Sequence, residues 1–412
     1  MNLRVNNIFY GWWIVGAIFI ISAYISGVIA FGFTSVFEPI AKEFGWSYVQ
    51  VSIAASIRGL EIGLLAPVVG LLLDRLGPRK LIFAGALITG LGLILLSRIS
   101  SLSGFYGAFI LIATGNSTCI GVVPVTVAGY WFHRKVSLVT GIIVCGVAIG
   151  GTLVPLVTGI IDVFGWRTAM MVFGLGAWVV IFPLSLVVRH HPEKYGLLPD
   201  GDPFVEPLKN TNTKIPQSVD TDKTLRQVIK TRAFWHMQIG FICHVFAIHA
   251  VITHIMPYLS TIGIDRADSR FVAGAVPLLS ILGRLSFGWF GDIWDKRRVT
   301  ASGIALTAAS LLILAYIERM GTWMLVPFLL FFSIGYGGPI PMISAILREH
   351  FGKSQLGSIV GLAQGLAMIG SVTGIAFAGW VFDSFGRYQG AWMVYGIVCI
   401  FGAFCMFTTP KE

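Results

Sequence analysis

One arginine stands inside an otherwise apolar run. Arg284, in Gly283-Arg284, has Ser280, Ile281, Phe287 and Gly288 three and four positions away, and none of them is acidic. A guanidinium in the middle of a hydrocarbon-spanning helix costs about 2.5 to 3.5 kcal/mol even on lenient insertion scales. Something must offset that cost, and no neighbour one turn away on the same helix can do so. The planar fork of donors matches a carboxylate at two points. Two readings follow: a bound organic anion, or satisfaction by backbone carbonyls or an acid from another helix.

Further along, His244, His249 and His254 succeed one another at five-residue spacing. At roughly 100° per residue each step turns about 140°, so the three cannot share a face and no metal cluster follows. Asn116, in Thr114-Gly-Asn-Ser-Thr, and Tyr336, in Gly335-Tyr-Gly-Gly, each offer a hydrogen bond to a carboxylate or hydroxyl oxygen. Close helix packing among small residues is the plainer reading of both segments. Phe332, one turn before Tyr336, is a candidate wall for the same site. Arg58 and Glu61 stand three apart on one helix face, which predicts an ion pair, with a proton-coupling role for Glu61 as the alternative. No phosphate-binding loop, nucleophile triad or metal motif is present, so neither an enzyme nor a cofactor is expected.

These residues need a frame, and the composition dictates it. Of 412 residues 56% are hydrophobic and 12% charged, about half the charge of an ordinary soluble domain. The apolar residues fall in blocks of about 20, the length that crosses a bilayer core of roughly 30 Å as a helix. Twelve spans are predicted, near 10–35, 47–73, 80–98, 103–131, 137–160, 167–188, 234–262, 270–291, 298–317, 321–347, 356–382 and 389–408. The expected fold is an all-α integral membrane protein with two pseudo-symmetric six-helix halves around a central cavity. The halves cover 1–188 and 234–412, joined by 189–233, a polar stretch that reads as a mobile linker. All five cysteines lie inside apolar blocks and read as small buried hydrophobes. The first block is too long for a cleaved signal and reads as a retained span. The net charge of +10 is unevenly placed: twenty Lys and Arg fall in the termini, the linker and the loops on their side, seven in the opposite loops. That bias puts both termini in the cytoplasm of a multi-pass inner or plasma membrane protein and removes nucleic acid as a partner.

An internal repeat supports the two halves. Asp74 in Gly70-Leu-Leu-Leu-Asp74 answers to Asp292 in Gly288-Trp-Phe-Gly-Asp292, 218 positions on, while Asn116 and Tyr336, like Gly141 and Gly361, are 220 apart. Such repeats place a substrate near the bilayer midplane, between the halves.

The segment Gly70-Leu-Leu-Leu-Asp74-Arg75-Leu-Gly77-Pro-Arg79-Lys80, with its degenerate copy ending Asp292-Ile-Trp-Asp295-Lys296-Arg297-Arg298, resembles the signature of the major facilitator superfamily. The opening Tyr10-Gly11-Trp12-Trp13 and the lone Arg284 are similar to the bacterial oxalate/formate antiporter and monocarboxylate transporter group. The resemblance implies a monomeric secondary transporter working by alternating access. Its substrate would be a small organic anion such as lactate or pyruvate, with a proton as coupling ion. Oxalate/formate-type exchange is the rival, and drug efflux a weaker one. It further implies that Arg284 binds the carboxylate and that a helix-seven histidine faces the cavity, for which His254, one turn from Pro257, is the candidate for substrate and proton. Gln364 stands where the oxalate antiporter carries a lysine, so a second cation is missing from helix eleven. Asp74, Arg75, Arg79 and Asp292 fall at helix junctions suited to conformational control.

Overall fold

The computed structural model describes residues 9–202 and 223–410, with side chains left undescribed at positions in the first, second and eighth helices. The described residues contain no strand. Eleven helical segments are long and apolar enough to cross a membrane. The twelfth, Tyr48–Leu76, carries the ionisable Arg58, Glu61, Asp74 and Arg75. Together they form a twelve-helix transporter fold.

In chain order, α1 comprises Tyr10–Ile25, a π-helical Ser26–Phe31 and Phe33–Phe44. Then come α2 Tyr48–Leu76, α3 Pro78–Leu96, α4 Leu102–Trp131, α5 Val136–Phe164 and α6 Trp166–Val187. The second half has α7 Arg232–Thr261, α8 Arg266–Ile293, α9 Lys296–Met320, α10 Thr322–Phe351, α11 Leu356–Phe385 and α12 Gln389–Phe407. The first helix runs nine residues past its predicted end at 35, to a left-handed Gly45. The extension is polar on one side, with Lys42 paired to Glu38 at 2.7 Å, so hydropathy alone does not register it.

Apolar side chains cover the outside. Leu64, Val163, Val179 and Phe271 are each about three-quarters exposed, which in water would be costly and in lipid is the expected state. The halves meet along two seams, α2 against α11 and α5 against α8.

The described segments of the linker, 189–202 and 223–233, are anchored to both halves. Asp200 accepts from the backbone N–H groups of His133 and Arg134, Lys353 pairs with Glu193 at 2.5 Å, and the Leu225 N–H donates to Gln355. Burial and the neighbouring His191 and Lys194 press the charge out of His190 and push its pKa down to about 4. A neutral imidazole is therefore built into this end of the bundle.

Candidate functional site

Two helices are interrupted at matching depths. In α4, Leu102–Cys119 gives way to Val122–Trp131 at Gly121, whose φ of +92° is open to glycine at little cost. In α10, Leu325–Gly337 and Met342–Phe351 are separated by Gly338-Pro339-Ile340-Pro341. These interruptions follow directly on Asn116 and Tyr336, the residues the repeat pairs. Broken helices are tolerated at membrane depth only where the freed backbone is buried in protein or faces a cavity, and in transporters they mark the binding region.

Arg284 is seated beside the α10 interruption by close backbone packing. A Cβ at Gly283 would collide with the Ile334 carbonyl of α10, and one at Gly141 of α5 with the Arg284 carbonyl. Only glycine lets the three helices approach this closely. The guanidinium then lies 5.8 Å from the centre of the Tyr336 ring, and its Nη1 donates to the Val144 carbonyl of α5 at 2.6 Å. Arg284 is 3% exposed, its Nε has no partner, and no carboxylate among the described residues forms a salt bridge with it. One carbonyl and one aromatic face therefore offset part of the desolvation of a full charge, and a donor is left over.

The other sequence candidates divide. Tyr336 stacks under Arg284, and Phe332 stacks behind Tyr336 at 6.3 Å with an interplanar angle of 7°, fully buried; it supports the tyrosine and does not line the cavity. Asn116 is buried at the α4 interruption with Oδ1 unpartnered. Gln364 lines a cavity of about 180 Å³ between α2, α7, α10 and α11. The side chains of Arg58 and Glu61 lie outside the described residues.

His254 is not brought to this cavity. Its Nδ1 is 3.2 Å from the Tyr388 hydroxyl and its Nε2 3.2 Å from the Ile375 carbonyl, so it ties α7 to α11 and α12. The carbonyl can only accept, so Nε2 carries the proton and Nδ1 accepts from the tyrosine. The cavity takes the stripe Phe241, His244, Val245, Ile248 and His249 instead, the face that i, i+3, i+4 and i+7 spacing presents. We expect His254→Ala to lower the melting temperature in detergent by several degrees while leaving the affinity for substrate within about twofold, because a structural hydrogen bond is worth about 1 kcal/mol. A tenfold loss of affinity in a stably folded variant would return His254 to the site.

On the side of the bundle that carries the termini, the seams are closed by two aspartates. Asp74, at the end of α2, accepts from the Gly357 and Ser358 N–H groups that open α11, at 3.0 and 2.8 Å, and from the Ser358 and Tyr130 hydroxyls. Asp292, at the end of α8, accepts from the Ser137 and Leu138 N–H groups that open α5, at 2.8 and 2.9 Å. Each carboxylate from one half thus caps a helix of the other, where the helix dipole favours negative charge. Arg348 of α10 adds a bond to the Phe132 carbonyl at the end of α4. Arg75 and Arg79 are exposed and make no ion pair among the described residues.

The comparisons with known proteins agree with this architecture. A family model described as Major Facilitator Superfamily matches residues 12–269 and 255–412. Monocarboxylate transporter 12 of Xenopus laevis is 24% identical over 404 residues, covering 95% of this chain and 87% of that protein. Human monocarboxylate transporter 2 is 24% identical over 407 residues, with 95% and 83% covered. Among solved structures, the E. coli fucose:proton symporter FucP superposes with a TM-score of 0.72 at 14% identity, covering 97% of this chain and all of that one. The human organic anion transporter MFSD10 (TETRAN) gives 0.71 at 12% identity, covering 96% and 99%. The chain belongs to the Major Facilitator Superfamily.

Proposed function

We propose that this secondary transporter carries small monocarboxylates of the lactate and pyruvate type, with a proton as coupling ion. The observation that carries the reading is Arg284, a buried cation with an unpartnered Nε and no carboxylate partner among the described residues. An arriving carboxylate completes the pairing the protein leaves undone. It also competes with the Val144 carbonyl for the guanidinium, and so loosens a contact between α8 and α5, which lie in opposite halves. Binding and movement are thereby linked at one side chain. Proton symport would make the step electroneutral for a monoanion. The relatives' description as monocarboxylate transporters supports the substrate class, and the description of FucP as a proton symporter fits the coupling.

The excess of Lys and Arg on the termini side assigns that side to the cytoplasm. The aspartate-capped seams then form the cytoplasmic gate, with Asp74 and Asp292 as its holding groups.

Substrate valence tests the reading. With one cation at the site, a dianion leaves a charge unpaired in a low-dielectric setting, a penalty of several kcal/mol by the effective desolvation cost per ion, about 3 or more. In proteoliposomes at two pH values, lactate and pyruvate should compete for uptake at least about tenfold better than oxalate, and an inward proton gradient should drive accumulation. Gln364→Lys should move the preference toward oxalate. Oxalate outcompeting both monoanions, with uptake dependent on a counter-substrate instead of a proton gradient, would establish the exchanger reading in its place.

A further inference from the structure

The cavity between α2, α7, α10 and α11, whose described lining includes neither Arg284 nor Tyr336, has a chemistry of its own. Its walls are mainly aliphatic, with Val245 and Ile248 from α7, Ile340 from α10 and Met368 from α11. Four polar side chains interrupt them; His244 is committed to the Thr307 hydroxyl and the Gly335 carbonyl, and the other three each keep a hydrogen-bonding group without a partner among the described residues. His249 has its Nδ1 buried without a partner; the Val245 carbonyl one turn back is close enough to influence the ring but makes no well-formed hydrogen bond with that atom. Gln364 makes no hydrogen bond to any described residue, and its Oε1 reaches toward Gly121 at the α4 interruption. Ser371 makes none either, although serines in these helices commonly donate back to a carbonyl three or four residues earlier, as Ser280 and Ser310 do.

Gln364 and Ser371 stand seven residues apart on α11, two turns along one face, with His249 facing them from α7. The buried, unpaired His249 Nδ1 is costly to leave open, while Gln364 and Ser371 keep their polar atoms accessible, and a site that leaves such groups open discriminates in favour of a ligand that pairs them. Along α10 the wall begins at Pro339, three residues after the Tyr336 ring that carries the guanidinium. The free volume of about 180 Å³ is that of roughly six water-sized groups at about 30 Å³ each.

From this we infer a second subsite that selects the far end of the substrate: the cavity takes the aliphatic body of a monocarboxylic acid longer than lactate, and His249 and Ser371 bind a hydroxyl or keto oxygen several carbons from the carboxylate. The inference rests on the assignment of Arg284 as the carboxylate anchor. Lactate fills only the anchor; a hydroxy or oxo acid of about six carbons fills both.

Full-length protein in proteoliposomes provides the test, with 5-hydroxyhexanoate, hexanoate and unlabelled lactate as competitors of labelled lactate uptake. In the unmodified protein 5-hydroxyhexanoate should compete about fivefold to tenfold better than hexanoate, the effect of one or two added hydrogen bonds. Ser371→Ala and His249→Ala should each remove most of that advantage while the KM for lactate stays within about twofold. Ala367→Leu, which fills the cavity without touching a polar group, should weaken both six-carbon acids about tenfold and spare lactate. The inference is overturned if hydroxyhexanoate competes no better than hexanoate, or if Ala367→Leu weakens lactate and the longer acids equally. Absence of lactate uptake by the unmodified protein would refute the monocarboxylate reading separately. In that case a melting-temperature shift of detergent-solubilised protein with 5-hydroxyhexanoate, lost in Ser371→Ala, would still uphold the subsite, and no shift would remove it.

Discussion

Arg284→Lys should lower uptake, measured as kcat/KM for lactate, by about 30-fold to 150-fold, the equivalent of about 2 to 3 kcal/mol for a lost charge-assisted hydrogen bond. The charge is retained, but an ammonium is a point donor and cannot present the planar fork that meets both oxygens of a carboxylate. It also sits on a shorter stem, withdrawn from both the Tyr336 ring and the Val144 carbonyl. A companion variant separates function from folding. Arg284→Met removes a buried, incompletely paired charge, and such replacements are often neutral or stabilising. It should therefore match or exceed the unmodified protein in melting temperature while transporting nothing measurable. Normal uptake by either variant, in protein shown to be folded, would sink the anchor assignment.

The second large effect concerns the termini-side gate. Asp74 accepts four hydrogen bonds, three of them at the start of α11, and Asp292 accepts two at the start of α5. Removing either carboxylate by substitution with alanine should shift the balance from the closed toward the open state of that side by on the order of 2 kcal/mol, about thirtyfold in population. The two aspartates share no partner, so their effects should add, and the double variant should shift the balance by roughly a thousandfold. Distances between spin labels placed on the ends of α2 and α11 report the change directly. A double variant whose distances match the unmodified protein would show that the caps do not hold the gate. Arg75→Ala and Arg79→Ala, at positions exposed and without ion pairs among the described residues, should leave the distances unchanged.

The twelve helices were legible because a bilayer demands a long uninterrupted apolar run for every crossing, and that requirement is written residue by residue. The end of α1 was not, since its last turns leave the apolar zone and carry an ion pair. The breaks at Gly121 and at Gly338–Pro341 were not legible, because glycine and proline are frequent inside membrane helices and do not by themselves mark an interruption. That Asp74 and Asp292 are landmarks was visible. What they bind was not: their partners are backbone N–H groups at Ser137, Leu138, Gly357 and Ser358, and a backbone amide has no residue type to read.

Side-chain direction marks the remaining limit. Arg284 announces itself because an ion in an apolar run is expensive wherever the helix points. A histidine is not so costly, and five-residue spacing shows only that His244, His249 and His254 cannot all share one face. The packing of α7 decided which way: His254 turns into α11 and α12, where both ring nitrogens find partners, and the stripe carrying His244 and His249 turns to the cavity. Sequence by itself determined the number of crossings, the repeat spacing and the presence of a cation inside an apolar span, because each follows from local composition and spacing. Tertiary structure alone decided which polar atoms are left without partners, because that depends on how helices distant in sequence rotate against one another.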